Sequence, residues 1–349
     1  MNRSRRLILT AAAISIVGVG LAFSTRLTGT AQAAIGPVPP EALALPANSS
    51  VLMGFDVHAL AASDFYAKFG NEGEPGHVEA LAEIERRTGL NPTRDIDSVV
   101  VAVQAGEAQA KEGDAARRRG PENALVFVTG RFDAARLESS IPADGKVQKE
   151  RRDGVTLYRG ASDKNHGVVA LLDAGILVAG DTASVETFLA NRQSGHGIRD
   201  SRELVSLLGT IEPGSTFWAV GGPSVLSRVT AGVGPAANLP SIKQVVAYGH
   251  LDPEVGVTAT AEAADAKAAT KIADVLRGFS AMLSLQAGQK AELAQIADSI
   301  SVATEDDKVH VKATITHELL ESLKKTTTEQ HKRHRADADV TADVTVIQK

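Results

Sequence analysis

One stretch near the C-terminal end has the residue types of a metal site. Residues 317–321 read HELLE, which begins like the zinc-binding helix of metalloproteases. That helix needs two imidazoles one turn apart, but Glu321 stands where the second histidine belongs. His331 and His334 are a second pair, and the Lys-Arg dipeptide between them opposes a divalent cation. The sequence therefore predicts no metal site and no cofactor.

Gly221, Gly222 and Ser224 lie between a predicted strand and a predicted helix, which is the local context of an anion-binding turn. Backbone N–H groups at such a helix start can face an oxyanion or a phosphate. However, Pro223 has no N–H to donate, and the Lys-Ser/Thr ending of a phosphate loop is missing. The three residues are candidates for binding, with a plain turn and helix start as the favoured interpretation.

Asp56 and His58 flank Val57 at the end of the first predicted strand, so their side chains point to one side. A carboxylate beside an imidazole suits acid–base chemistry. The favoured interpretation is a strand-end cap and a surface histidine. Further carboxylate pairs, such as Asp95 with Asp97, stand at strand entries and turns, where acidic residues are common anyway. No catalytic residue is predicted, and the sequence favours a protein that is not an enzyme.

Short β-rich runs alternate with amphipathic segments along the chain. Strands are predicted at residues 51–57, 98–104, 125–131, 155–159, 168–172, 176–179, 216–220, 244–251, 255–261, 300–304 and 309–315. The clearest helix runs from Asp265 to about Leu285, with an apolar face that either fills the core or lines a cavity. The charged run Lys149–Arg152 is predicted as a solvated loop.

The order of these elements occurs twice. Each half opens with a strand and a helix, continues with two strands and a helix capped by Asp133 or Asp265, and closes with further strands. This order predicts an α+β fold with two related halves, each a mostly antiparallel sheet covered by helices in the ferredoxin-like order βαββαβ. Two unrelated α+β halves are the alternative.

The N-terminal segment has the three parts of a secretory signal peptide. A basic start leads into an apolar run at residues 7–23, and Ala31-Gln32-Ala33 before Ala34 is a cleavage site. An uncleaved membrane anchor is the alternative. Beyond residues 1–33, the sequence predicts a Pro-rich linker at 34–47, a first half at 48–195, a second half at 196–323 and a polar mobile tail at 324–349. Either way the body is exported, to the periplasm or the exterior.

The composition argues against several kinds of partner. The net charge is −5, and residues 1–33 contribute four arginines and no acid, so the body is more acidic still. Nucleic acid is therefore not an expected partner. Aromatic residues are only 4% of the chain, which leaves few rings to stack on bases or sugars. The chain has no cysteine, which excludes disulfides and thiol chemistry.

The first third of the chain carries a family resemblance. Residues 54–60 (GFDVHAL), residues 89–97 (GLNPTRDID) and residues 130–133 (GRFD) resemble those of uncharacterised exported bacterial proteins. These motifs mark a strand end, a helix end before a strand, and a strand leading into a helix cap. The resemblance implies a location in the cell envelope, and it implies no activity.

Three functional hypotheses remain open. The first is a non-catalytic envelope protein that acts by binding, with another envelope protein as its partner. The second is a carrier of a lipid or small apolar ligand, held against the apolar face that begins at Ala268. The third is an enzyme of unfamiliar type whose groups converge from distant loops. Contact with a membrane through the N-terminal segment is compatible with all three.

Overall fold

A single antiparallel sheet organises the molecule. The computed structural model describes residues 35–70, 77–104, 124–140, 147–160, 167–173, 175–222, 242–286 and 291–322. Within these residues, twelve strands form one sheet in the order β11-β12-β10-β9-β8-β1-β2-β3-β7-β6-β5-β4. All neighbouring strands are antiparallel. The protein is therefore an α+β protein with a large antiparallel sheet.

The strands are β1 Ser49–Asp56, β2 Ile96–Gln104, β3 Ala124–Gly130, β4 Val147–Arg152, β5 Val155–Gly160, β6 Gly167–Asp173, β7 Ile176–Asp181, β8 Phe217–Gly221, β9 Ile242–His250, β10 Val255–Ala263, β11 Ile300–Glu305 and β12 Lys308–Ile315. The α-helices are α1 Val57–Ala62, α2 Asp64–Phe69, α3 His77–Thr88, α4 Pro92–Asp95, α5 Ala134–Ser139, α6 Thr182–Ser194, α7 Arg202–Leu208, α8 Ala266–Gln286 and α9 Ala291–Ser299. Among the described residues, 3-10 helices cover Pro40–Ala44 and Ile198–Asp200, and residues 317–322 are helical.

One face of the sheet carries the largest core. Phe127 of β3 and Phe188 of α6 lie at its centre, both fully buried, with ring centroids 5.8 Å apart. Helices α6 and α7 and the first 3-10 helix cover this face, and the core continues onto β8 and β9 through Trp218 and Val246. Because one core spans strands of both predicted halves, it holds them together.

The opposite face carries two smaller cores. The first lies over β1, β2 and β3, where Val57, Leu90 and Phe132 pack on the strands. The second lies under α8, where Ala269 and Ile272 pack on Val309 of β12. Asp265 caps α8 by accepting the Ala268 N–H at 2.7 Å, as the sequence predicts. Strand β8 lies between the strands of these two cores.

The structure corrects the prediction of one sheet in each half. β1 pairs with β2 on one side and with β8 on the other, which joins the two halves into one sheet. The ferredoxin-like order of the halves is not confirmed. Hydrophobic periodicity places residues on faces, but it does not say which strand will lie beside which.

Two local predictions also differ from the structure. Lys149–Arg152 belongs to edge strand β4 and not to a loop, because the Asp153-Gly154 turn pairs it with β5. An edge strand tolerates this density of charge since one of its sides faces solvent. The predicted linker at 34–47 contains the 3-10 helix Pro40–Ala44, and Leu43 and Leu45 bury there in the main core. Apolar residues between the prolines outweigh the prolines' preference for an open linker.

Candidate binding surface

An apolar surface runs across six strands on the face that α8 partly covers. The strand registers align two rows of residues from β1 through β8, β9, β10 and β12 to β11, and both rows are apolar throughout. The first row is Phe55, Phe217, Gly249, Val257, Ala313 and Ile300. The second row is Met53, Ala219, Ala247, Ala259, Val311 and Val302. Helix α8 packs on the β10, β12 and β11 end of these rows.

Helix α8 buries only part of its apolar side. Ala269, Ile272 and Ala273 are at most 2% exposed, whereas Val275, Phe279 and Met282 are 37%, 37% and 42% exposed. The last three are spaced by four and three residues, so they share one side of the helix. We call these three residues the α8 stripe. Leu285, one turn further on at 85% exposure, extends the apolar surface at the end of the helix.

A second exposed apolar point lies on the same face of the sheet, at the end of β1. Phe55 is 38% exposed, and its ring centroid is 6.3 Å from that of Phe217 on β8. The Phe217 ring lies over Gly249, where a Cβ atom would come within 2.5 Å of it. Gly249 is therefore needed for the close approach of this ring to β9. An exposed phenylalanine without a charged neighbour in its row marks a surface suited to an apolar partner.

Helix α2 is tied to the β9–β10 turn at one end of this face. Both carboxylate oxygens of Asp252 accept backbone N–H groups at the start of α2, from Asp64 at 2.9 Å and Phe65 at 3.3 Å. His317 is buried beside this turn, with Nε2 2.9 Å from the Leu251 carbonyl oxygen, and its ring contacts Phe65 and Phe69. These contacts hold α2, which is close to β1 in the sequence, against the β9–β10 turn and His317, which are distant from it in the sequence.

Asp56 and His58 lie near a carboxylate that sequence reasoning treats as ordinary. Asp56 caps α1 by accepting the Ala59 N–H at 2.8 Å. Burial raises the pKa of Asp97, against the attraction of Arg131 and His58, and the Asp56 charge raises that pKa further. Oδ1 of Asp97 is buried and accepts no hydrogen bond. The group is an electrostatic cluster at the strand ends, and no described cavity opens beside it.

The neighbouring carboxylate behaves in the opposite way. Partial burial acts to raise the pKa of Asp95, but the hydrogen bonds from Arg94 and the Asn91 N–H outweigh burial and lower it. The pKa values of these two carboxylates shift in opposite directions because hydrogen bonds to Asp95 outweigh its burial, whereas burial dominates at Asp97. Arg131, at the end of β3, lowers both pKa values, so it does not cause the difference.

The other candidate residues do not form a site among the described residues. Gly221 ends β8, and the Gly222 N–H donates to the Ser50 carbonyl at 3.0 Å, which leaves it bound within the sheet. Ser224 and the cleavage residues Ala31, Ala33 and Ala34 lie outside the described residues. In the ranges that the structure describes, no group of three His, Asp or Glu side chains could hold a metal ion. No helix in those ranges is long and apolar enough to cross a membrane.

A cavity of about 270 Å³ lies between the β4–β5 turn and α6. Its walls include Arg152, Glu186 and Leu189. Glu186 accepts a hydrogen bond from Arg159 at 3.0 Å and lies 3.9 Å from Arg152, so the charges at this cavity neutralise one another. A neutralised polar cavity is a weaker candidate for binding than the apolar surface.

Comparisons with known proteins identify no family for this chain. No family model and no curated protein matches the sequence. Two solved structures of TP0453 align with most of it. Crystal form III has a TM-score of 0.49 at 14% identity and covers 82% of this chain and 97% of that chain. Crystal form I has a TM-score of 0.45 at 14% identity and covers 84% and 99%. Similarity at this level assigns no function, and the resemblance to exported bacterial proteins stays a prediction.

Proposed function

We propose that the protein is an exported binding protein that docks a partner protein on the apolar surface of α8 and the neighbouring strands. The observation that carries this proposal is the α8 stripe, in which Val275, Phe279 and Met282 keep more than a third of their surface in solvent. Exposing three large apolar side chains to water is unfavourable, and a partner that covers them removes that cost. The predicted export signal would place this surface in the cell envelope.

The shape of the surface favours a protein partner. The two rows cross six strands, which at about 4.8 Å per strand span roughly 24 Å. The strand floor is broad, and small residues (Ala219, Ala247 and Ala259) lie along its middle. A broad strand surface with large side chains at its two ends suits an amphipathic helix or strand of a partner, whose apolar side chains would pack on the alanines. If residues 48–195 and 196–323 are related halves, as the sequence predicts, the first half would carry a similar surface.

A lipid is the second candidate, because of the charges beside the stripe. Lys267 and Lys271 are exposed and precede Val275 at intervals of four residues, so they lie on the same side of α8. Lysines beside an apolar helix stripe are typical of helices that lie on anionic membrane surfaces. The lysines predict that lipid binding, if it occurs, depends on anionic headgroups.

The test compares two double variants of the full-length chain in the cell envelope. The first, Phe279→Ser with Met282→Ser, makes the stripe polar. The control, Lys312→Ser with Thr314→Ser, changes two exposed residues on the other face of β12. We expect the stripe variant to lose a co-purifying protein that the wild type and the control both retain. Equal recovery of every partner by all three chains would contradict the proposal.

Vesicles made with and without anionic lipid separate the two candidates. In one outcome, the purified wild type floats with anionic vesicles, the stripe variant does not, and the stripe variant loses no protein partner. This outcome replaces the protein-partner hypothesis with the lipid hypothesis. If neither chain floats and only the stripe variant loses the protein partner, the protein-partner hypothesis stands.

A further inference from the structure

Strand β11 is an edge of the sheet that the described residues form. A two-residue turn, Asp306-Asp307, connects β11 to β12 and makes Glu305 and Lys308 the closing pair. The closing pair of such a hairpin exchanges both of its hydrogen bonds, and alternation along the strand follows from it. Ser301, Ala303 and Glu305 therefore bond to β12. The N–H and C=O groups of Ile300, Val302 and Thr304 point away from the sheet.

A side-chain contact agrees with this orientation. Nη2 of Arg277, on α8, donates to the Val302 carbonyl oxygen at 3.3 Å. This contact is the one expected of a Val302 carbonyl that points away from β12. Arg277 covers one acceptor at the middle of the edge. The Ile300 N–H belongs to the last turn of α9, which ends at Ser299, so the Ile300 carbonyl and both backbone groups of Thr304 are the outward groups considered for pairing beside Val302.

The other edge of the same sheet differs in charge. In β4, four of the six residues are charged, from Lys149 to Arg152. In β11, Glu305 is the only charged residue of six, and it stands at the turn. Natural sheets protect exposed edges with charged side chains that resist pairing with another strand. β4 has this protection, and residues 300–304 of β11 lack it.

We propose that β11 pairs with β11 of a second copy of this chain, antiparallel about a twofold axis at Val302. This register sets Val302 opposite its own copy, Ile300 opposite Thr304, and Ser301 opposite Ala303. The pairing ends at Ile300 and Thr304, because Ser299 is the last residue of α9, so no like charges oppose each other along the pair. The outward groups of Val302 and Thr304 meet outward groups of the other copy, and the two sheets become one continuous sheet of 24 strands, twice the 12 described in one chain. The interface is isologous, as a twofold axis requires.

Charges on α8 complement this arrangement. Asp274 and Arg277 are exposed on the side of the helix that reaches the β11 edge, and they form an ion pair at 3.1 Å within the helix. Across a twofold axis, Arg277 of one copy can leave the Val302 carbonyl and pair with Asp274 of the other. Strand pairing replaces the single Arg277 bond with four N–H···O bonds, two between the Val302 residues and one from each Thr304 N–H to the Ile300 carbonyl of the other copy.

The register is tested with cysteines, because the natural chain has none. Ser301→Cys and Ala303→Cys are separate variants at exposed positions of β11. In the proposed register these two residues face each other as a non-hydrogen-bonded pair, with Cα atoms about 4.5 Å apart, within reach of a disulfide. Oxidising a mixture of the two should give mainly the mixed dimer, and each variant alone should give little. Equal yields from the mixture and from each variant alone would overturn the register.

Sedimentation of proline variants tests the interface itself. Thr304→Pro removes an outward N–H without touching a bond to β12, and Thr304 is exposed. Arg151→Pro makes the matching change on the outer side of β4, since Arg152 and Val155 close that hairpin. We expect the wild type and Arg151→Pro to sediment as dimers and Thr304→Pro as a monomer. A wild type that stays monomeric, or a dimer that only Arg151→Pro dissociates, would overturn the proposal. This interface does not depend on the function proposed for the α8 stripe.

Discussion

The middle of the sheet and its β11 end are built differently. Along β2 and β3, successive residues bury on opposite faces: Val99 and Val100 are 2% and 1% exposed, and Phe127 and Val128 are 0% and 2% exposed. Along β10 and β12, only the face under α8 is packed, as at Val309, while Thr260 and His310 on the other face are half-exposed. A strand with two cores supplies stability, whereas a strand with one core leaves surface for a partner. The α8 stripe lies at this single-core end of the sheet.

The largest effect should come from the doubly covered region. Phe127→Ala removes a fully buried ring that contacts Phe188, and we expect it to lower the free energy of unfolding by about 3–5 kcal/mol. Urea denaturation measures this change. The matched change at the other end, Phe279→Ala, removes a ring that is partly in solvent, so it should cost clearly less. Equal costs would show that the two regions do not differ in the way described.

Gly54 offers a test of packing against the central tryptophan. A Cβ atom at position 54 would lie 2.2 Å from the Trp218 ring, and Trp218 is 4% exposed in the main core. Gly54→Ala should therefore destabilise the fold by about 1–3 kcal/mol through overpacking. Gly278→Ala, on α8, meets no atom within 4 Å and should stabilise the helix by about 1 kcal/mol. Thermal unfolding of both variants should show shifts of opposite sign, and a shift of the same sign would contradict this packing.

The contact between α2 and the β9–β10 turn should have a smaller effect. Asp252→Ala removes the acceptor of two N–H groups at the start of α2, at a cost of about 1 kcal/mol. The amide protons of Asp64 and Phe65 should exchange faster with solvent in this variant. Asp252→Asn keeps one acceptor oxygen and should retain part of the protection. Unchanged exchange in Asp252→Ala would show that the turn does not hold α2.

The smallest effect should depend on pH. Burial raises the pKa of Asp97, so the folded state holds this proton more tightly than the unfolded state does. The contribution of Asp97 to stability is therefore lost as the pH rises from about 3.9, the ordinary aspartate pKa, through its folded value. Asp97→Asn removes the buried charge and should raise the melting temperature at pH 7, with the gain disappearing near pH 3. A lower melting temperature at pH 7 would contradict this sign.

The sequence predicts the single strands better than their assembly. A run of apolar residues identifies β1, and the Asp265 cap and the repeat of apolar residues identify α8. The pattern does not identify β4, because its charges are those of a loop and only the turn to β5 makes it a strand. It does not predict that β1 lies beside β8, since strand order depends on the packing of distant segments.

The candidate surface shows the same limit. The repeat from Ala268 to Leu283 correctly predicts the apolar side of α8, but only part of that side packs on the strands beneath it. Which residues bury and which stay exposed is decided by where the helix lies on β10, β12 and β11. Asp97 is missed for a related reason, because its surroundings include Arg131 from another strand end. A residue's environment is a property of the fold, so spacing along the chain does not report it.

Oxidation of Met282 by peroxide tests the central claim most directly. Met282 is 42% exposed, and the thioether of an exposed methionine is oxidised readily to the sulfoxide. We predict fast oxidation in the purified protein and slow oxidation in intact cell envelopes, where a partner covers the α8 stripe. Met53, half-buried on β1, lies in one of the two apolar rows, so its oxidation should slow as well where a partner covers the whole surface. Equal oxidation rates of Met282 in both settings would contradict the claim that this surface is a docking site.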